Sequence, residues 1–316
     1  MSDKFEDAFE SSAGKGLWSL LFDLSKGIVD NLKDRKQAQR AAKQYFDKYH
    51  HRYGKVQVLR MPKGILLKDI YTPVRFLDGL SINKYISQDS LEKTFRKERR
   101  FQPDKRSDLN GLTVAKNESY LTVLGGPGAG KSTFLRRIGL EAFKGENSIF
   151  GEVYIPVFLE LKNLNTEKID LLQTIAEELS YFGFPIKPEF VKKALNEKKL
   201  LLLFDGLDEV PKENAIKVAD AIEKSATQYH GNRFIVSCRI AAFQSNFRGF
   251  NAIEIADLED DQIEEFIQKW FYSELDKKQK TADKCWETLQ SEAEGVTERL
   301  KSMLYKVYGS NAFKVK

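Results

Sequence analysis

Residues 120–139, YLTVLGGPGAGKSTFLRRIG, constrain this chain more than any other stretch. An apolar, strand-like run stops at a cluster of glycines. Lys131, Ser132 and Thr133 follow, and then an amphipathic segment. Gly125, Gly130, Lys131 and Ser132 satisfy the spacing G-x-x-x-x-G-K-[ST]. Glycines let the backbone turn sharply, so that N–H groups from about Gly128 to Thr133 converge on an anion. A helix starting near Lys131 adds its N-terminal dipole. The pattern therefore predicts a phosphate cradle made of Gly125, Gly126, Pro127, Gly128, Ala129, Gly130, Lys131, Ser132 and Thr133. Lys131 is expected to reach the β- and γ-phosphates of a nucleotide, and Thr133 the α-phosphate. The Ser132 hydroxyl is expected to ligate Mg²⁺.

Such a site needs a carboxylate near its metal, and LLLLFDGLDEV (200–210) offers one. Four leucines and Phe204 read as a strand buried on both faces. Asp205 stands at its C-terminal end, where α/β sheets place their chemistry. It is expected to hold Mg²⁺, through water. Asp208 and Glu209 lie three and four residues further on, and either could orient or deprotonate an attacking water. The next strand-like run, RFIVSCR, ends in Arg239. An arginine at that tip could sense the γ-phosphate or neutralise charge in a transition state; the plainer alternative is a surface arginine in a loop. Cys238 reads as a small buried residue. The adjacent His50 and His51 lack a metal-ligand set around them.

The rest of the chain is organised around this site. Residues 13–50 read as one helix, with Leu17, Leu21, Leu24, Ile28 and Leu32 at helical spacing and Ala38, Ala42, Tyr45 and Tyr49 continuing the stripe. Trp18, Phe22 and Val29 widen its apolar face. Packing on its own domain is favoured over docking on a partner. KVQVLRM (55–61) and IYTPVRFL (70–77) read as short strands, and 78–118 as a charged connection with a helix at 89–100. From 119 onward, strands at 119–125, 153–161, 200–205, 233–238 and 252–256 alternate with helices at 131–143, 168–181, 188–198 and 214–228. That alternation argues for a mainly parallel sheet. Helices at 258–271 and about 281–308 follow. The expected division is 1–54, a helical N-terminal segment; 55–117, a lead-in; 118–257, the nucleotide-binding domain; and 258–316, an incomplete helical segment.

Composition excludes several classes. No apolar run approaches the roughly 20 residues of a membrane span, and two cysteines cannot build a disulfide framework. A cytoplasmic protein is expected. The net charge of +5 is uneven. Residues 31–60 hold nine Lys/Arg against two Asp/Glu, whereas 257–276 hold eight acids against one lysine. The basic tract could touch nucleic acid or an acidic lipid surface, but a solvated helix face is the favoured reading.

Together these residues resemble the NACHT family of signal-transduction NTPases, within the STAND group of P-loop ATPases. VLGGPGAGKSTFLRRIGLEA is similar to the family's phosphate loop. LLLLFDGLDEVP is similar to its acidic motif, in which a small residue follows the first Asp and a D-E pair comes two residues later. IPVFLELKNL and RFIVSCRIAAF resemble its second strand and sensor strand. YHHRYGKVQVLRMPKGILLKDIYTPVRFL resembles the lead-in of bacterial members. The resemblance implies an α/β P-loop NTPase with a mainly parallel five-stranded sheet flanked by helices. A helical N-terminal segment would precede it and a partial helical domain would follow. The sensor strand would lie between the phosphate-loop strand and the acidic strand.

It further implies ATP/ADP with Mg²⁺, slow hydrolysis, and a signalling switch that self-associates or associates with NACHT-type relatives. A role in bacterial anti-phage defence fits that class. Relatives continue into a helical domain with an NPLLL-like segment, a winged helix and a sensor region. GVTERLKSMLYKVYGSNAFKVK (295–316) lacks the proline and the leucine run, so a chain truncated before those regions is expected. Two other readings are an AAA+-like motor or loader acting on nucleic acid, and a non-enzymatic regulator of a full-length relative. The D-x-x-D-E spacing speaks against the motor.

Overall fold

A computed structural model describes residues 14–26, 34–56, 64–77, 109–164, 169–184, 187–240 and 247–291. Strands β1 (Lys55–Val56) and β2 (Ile65–Leu66) form a small antiparallel pair of their own. Seven more make the main sheet: β3 (Arg75–Leu77), β4 (Leu109–Asn110), β5 (Tyr120–Gly125), β6 (Ile155–Glu160), β7 (Leu200–Asp205), β8 (Arg233–Arg239) and β9 (Asn251–Ile255). Their order is β4-β3-β9-β5-β8-β7-β6. The last five in that order are all parallel and are the five strands expected from the sequence. Strand β8 lies between β5 and β7, as the resemblance implied.

The sheet is larger than the five strands expected. β3 and β4 extend it to seven by antiparallel pairing, Phe76 opposite Ile255 and Leu109. Strands of two or three residues are too short to print a period-2 pattern.

The N-terminal stripe is two helices, α1 (Gly14–Ser25) and α2 (Arg35–Tyr53), rather than one. Asp34 starts α2 by accepting the Gln37 N–H at 2.8 Å, a cap that interrupts the apolar repeat. Ile28, Val29 and Leu32 lie outside the described residues, as do the helix expected at 89–100, most of the strand expected at 55–61, and the last helix beyond Ser291. Both helices pack on the chain's own core through Leu17, Leu21, Leu24, Ala42, Tyr45 and Tyr49.

Helix α2 covers the β6 edge. The Tyr45 hydroxyl donates to the Pro156 carbonyl on that strand. The Tyr53 ring lies 4.5 Å from Phe158, and Tyr45 lies edge-on to Phe184 at 4.9 Å. An outermost strand presents backbone groups that would otherwise recruit another chain, and this aromatic cover occupies that edge. The opposite flank is held by helices α3 (Leu67–Ile70) and α4 (Gly111–Asn117) next to β3 and β4.

The helix after the glycine turn, α5 (Lys131–Ala142), meets α2 at one close point. A Cβ on Gly139 would stand 2.0 Å from the Tyr49 hydroxyl oxygen. That hydroxyl is buried and has no hydrogen-bond partner among the described residues. Gly139→Ala is therefore expected to lower stability by about 1–3 kcal/mol through overpacking. Tyr49→Phe removes only an unsatisfied buried hydroxyl and should be near neutral or stabilising. Combined with Gly139→Ala it should recover part of the loss. Denaturant melts of the three variants check this, and equal losses in all three would contradict it.

Glu254 on β9 carries a pH prediction. Burial, with Asp257 adding to it, pushes its carboxyl up to about 7 from an ordinary 4.5. A carboxyl raised on folding favours the native state below its unfolded pKa, and that contribution is lost as pH climbs through the folded value. The melting temperature should thus fall between about pH 4.5 and 7, and Glu254→Gln should flatten that fall.

Candidate functional site

The glycine turn joins β5 to α5. Gly128 and Gly130 hold φ of +76° and +91°, a region that side-chain-bearing residues rarely adopt. The Ala129 N–H closes the turn on the Gly126 carbonyl at 3.3 Å. Gly130 stands as the residue before α5, so the orphan N–H groups of the first turn face the loop. The nine residues expected in the cradle, Gly125 to Thr133, run from the end of β5 through this turn into the first turn of α5, with Pro127 exposed and Thr133 buried.

Lys131 folds back over the loop. Its ammonium donates to the Gly125 carbonyl at 3.0 Å and the Gly126 carbonyl at 2.8 Å. Burial lowers its pKa; Arg239 pushes the same way, and the Asp208 and Asp205 carboxylates push back.

Asp205 ends β7 beside this turn. Its Oδ1 accepts the Ser132 hydroxyl at 2.9 Å and the Ser237 hydroxyl at 2.7 Å. The Ser237 oxygen in turn accepts the Gly206 N–H at 2.8 Å. Ser237 was not singled out in the sequence. It is 1% exposed, in the middle of β8. A polar residue inside a strand buried on both faces needs partners, and that was the available signal. Both hydroxyl bonds land on Oδ1, and no described residue donates to Oδ2.

Gly206 takes φ +78°, turning the chain from β7 into a single 3-10 turn, Leu207–Glu209. A Cβ there would sit 3.2 Å from the Glu209 carboxyl carbon. This turn separates the two acidic candidates. The Asp208 side chain is 7% exposed, and both its oxygens are used. Oδ1 accepts the Arg239 backbone N–H and Oδ2 pairs with its Nε, each at 2.9 Å. Glu209 is exposed at the mouth of the turn, and its carboxyl is raised by burial of the group first and by Asp205 and Asp208 next.

Arg239 ends β8 directly opposite Gly125 in the parallel register. The sheet thus brings the arginine to the phosphate loop, with Asp208 holding it. Cys238 is buried, and burial pushes its thiol up to about 12. It faces no activating cation strongly enough to be a nucleophile at neutral pH.

These residues fit a Mg²⁺-nucleotide. Gly128 and Gly130, at positive φ, keep Cβ atoms out of the turn at those two positions, and a Cβ on Gly125 would press on the Ala129 side chain at 3.0 Å. Ser132 and Asp205 already meet side by side. Among the described residues no group of three or more His, Cys, Asp or Glu is placed to hold a metal ion. Ser132 and Asp205 together offer the one or two protein oxygens that Mg²⁺ takes, the rest of its shell being water and phosphate. Among the described residues no helix is long and apolar enough to cross a membrane.

Residues 119–274 match the family model of the NACHT domain. No curated protein matches the chain.

Ser237 yields a test of how this site is held. Ser237→Ala removes one donor to Asp205 and strands the Gly206 N–H, which should cost about 1–3 kcal/mol. Asp205 would then be able to swing toward Lys131. The expected signature is weaker Mg²⁺ dependence of nucleotide affinity, with affinity in EDTA unchanged. Ser237→Thr, which keeps the hydroxyl, should restore it. Calorimetry with and without Mg²⁺ reads both.

Proposed function

We propose that this chain, whose residues 119–274 match the NACHT domain of P-loop NTPases, binds nucleotide there and is an ATP/ADP-dependent signalling switch with slow Mg²⁺-dependent ATP hydrolysis. The observation that carries this reading is the meeting of Ser132, Asp205 and Ser237 at the foot of the glycine turn, beside Lys131. Bound Mg²⁺-ATP supplies the phosphoanhydride bond to be cleaved. The chain's residues bind, orient and move a proton. Backbone N–H groups from Gly128 to Thr133 hold the phosphates. Lys131, which holds the Gly125 and Gly126 carbonyls, would turn to the β- and γ-phosphates. Ser132 and Asp205 would hold Mg²⁺.

Glu209 is assigned as the proton acceptor. It is exposed at the end of the acidic turn, and burial of its carboxyl, with the nearby Asp205 and Asp208 charges, raises its pKa. Asp208 is assigned instead to positioning, because its two oxygens hold Arg239. Arg239 would meet developing charge on the γ-phosphate from the tip of β8. A switch gains from long-lived states rather than turnover, so slow hydrolysis and self-association in one nucleotide state are the expected outputs. Bacterial anti-phage defence is the setting this class of switch suits.

Lys131→Ala is expected to abolish ATP and ADP binding in calorimetry. Normal affinity in that variant would overturn the site. Glu209→Gln should keep the affinity and slow hydrolysis by about 10²–10⁴-fold. Asp208→Asn should instead weaken the hold on Arg239 and raise the KM for ATP along with its effect on kcat. Equal behaviour of the two variants would sink the division of roles.

A further inference from the structure

Two oppositely charged helices sit on opposite edges of the sheet. Helix α2 covers the β6 edge. Its outward face carries Arg35, Lys36, Arg40, Lys43, Lys48 and Arg52, all exposed. Asp47 pairs with Lys43 at 3.7 Å, and Glu160 with Arg52 at 3.5 Å. Arg35, Lys36 and Arg40 have no acidic partner among the described residues.

The helix after β9, α9 in chain order (Asp260–Trp270), packs on the segment leading into β3, at the far side of the sheet. Gln262 donates to the Pro73 carbonyl at 2.6 Å and Lys269 to the Tyr71 carbonyl at 2.8 Å. Its buried face is Ile263, Phe266 and Ile267. Its outward face is acidic: Asp260, Asp261, Glu264 and Glu265. Arg75 takes Asp261 at 2.7 Å and Lys269 takes Glu265 at 2.6 Å. Asp260 and Glu264 have no basic partner among the described residues. A shallow open groove of about 520 Å³ runs along this face, lined by Asp261, Glu264, Glu265, Gln268 and Lys269.

We propose that the basic α2 face of one copy docks on the acidic α9 groove of the next. The inference rests on the self-association reading above and names the surfaces that carry it. The occupant of each face is a second copy of this chain, because the chain itself presents the complementary charge at the opposite edge. Like charges at such a contact repel, and opposite charges steer and set register. The contact is heterologous, so it generates a ring or a filament rather than a closed two-fold pair. It also leaves the glycine turn, Asp205 and Arg239 uncovered by the docked helix faces, since those lie at the strand ends rather than on either edge. Exposed charges act over about 10 Å at 0.1 M salt, so the association weakens as salt rises.

The test is light scattering on the full chain at about 50 and about 500 mM salt, with and without Mg²⁺-ATP. Wild type is expected to exceed twice the monomer mass at low salt and to fall toward monomer at high salt. One variant carries Lys36→Glu with Arg40→Glu, and another carries Asp260→Lys with Glu264→Lys. Each alone presents like charges at both faces and should stay monomeric. Mixed one to one they restore opposite charges at every junction and should assemble. Thermal melts confirm that both variants fold, which matters because Asp260→Lys also opposes the α9 dipole.

If the variants assemble with Mg²⁺-ATP as wild type does, self-association stands and these surfaces are wrong. If wild type binds ATP yet stays monomeric in every condition, both readings fall. A wild type that stays monomeric but binds a labelled single-stranded DNA of about 20 nucleotides through α2 also overturns the proposal, and assigns the basic face to a polyanion.

Discussion

A carboxylate at the end of a strand made of leucines sets the terms for the rest of this molecule. Strand β7 is buried on both faces, and Asp205 emerges where that apolar run ends. A charge in such a place needs hydrogen-bond partners. Two hydroxyls supply them, one from the helix after the glycine turn and one from the neighbouring strand. Meeting that need forces β5, β7 and β8 to be adjacent in register. Once they are, the loop carbonyls, the Lys131 ammonium and the tip of β8 arrive together. The site is a consequence of satisfying one buried-edge charge within a parallel sheet.

The lead-in belongs to the same construction. β3 pairs with β9 and places Val74 3.8 Å from where a Cβ on Gly130 would lie. A strand from outside the alternating region thus backs the phosphate turn. On the far side, α2 buries three tyrosines against β6 and the segment around Phe182. Its Tyr49 presses on Gly139 of α5. The helix that begins at the phosphate turn is therefore braced from the N-terminal segment, and a shift in one is felt by the other because packed interiors have little slack.

What the sequence made legible follows from how each feature is encoded. The five parallel strands print long buried runs such as LLLLF and RFIVSC, and the glycine turn prints its own spacing. The antiparallel edge strands do not, because two or three residues carry no periodicity. Residues 13–50 read as one helix because Ala38, Ala42, Tyr45 and Tyr49 repeat at the same helical spacing as Leu17, Leu21 and Leu24, although the Asp34 cap breaks the run between them. Ser237 was silent because a serine in a strand looks like any other until its neighbours are known. Asp208 and Glu209 could not be told apart in sequence, since adjacent residues on a turn differ only in the direction they face.

That difference in direction is where the chemistry divides. Gly206, at positive φ, tightens the turn so that Asp208 is buried against Arg239 while Glu209 stays exposed. Asp208 holds a guanidinium with one oxygen and a backbone N–H with the other. Glu209 meets two carboxylates and partial burial, both of which oppose ionisation. Two neighbouring acids placed in contrasting fields are suited to different tasks, one to hold a cation and one to exchange a proton. The glycine that separates them is thus as much a part of the acidic motif as the carboxylates. A residue with a Cβ at that position would crowd Glu209 and demand a strained backbone, and the contrast between the two acids would be lost with the turn.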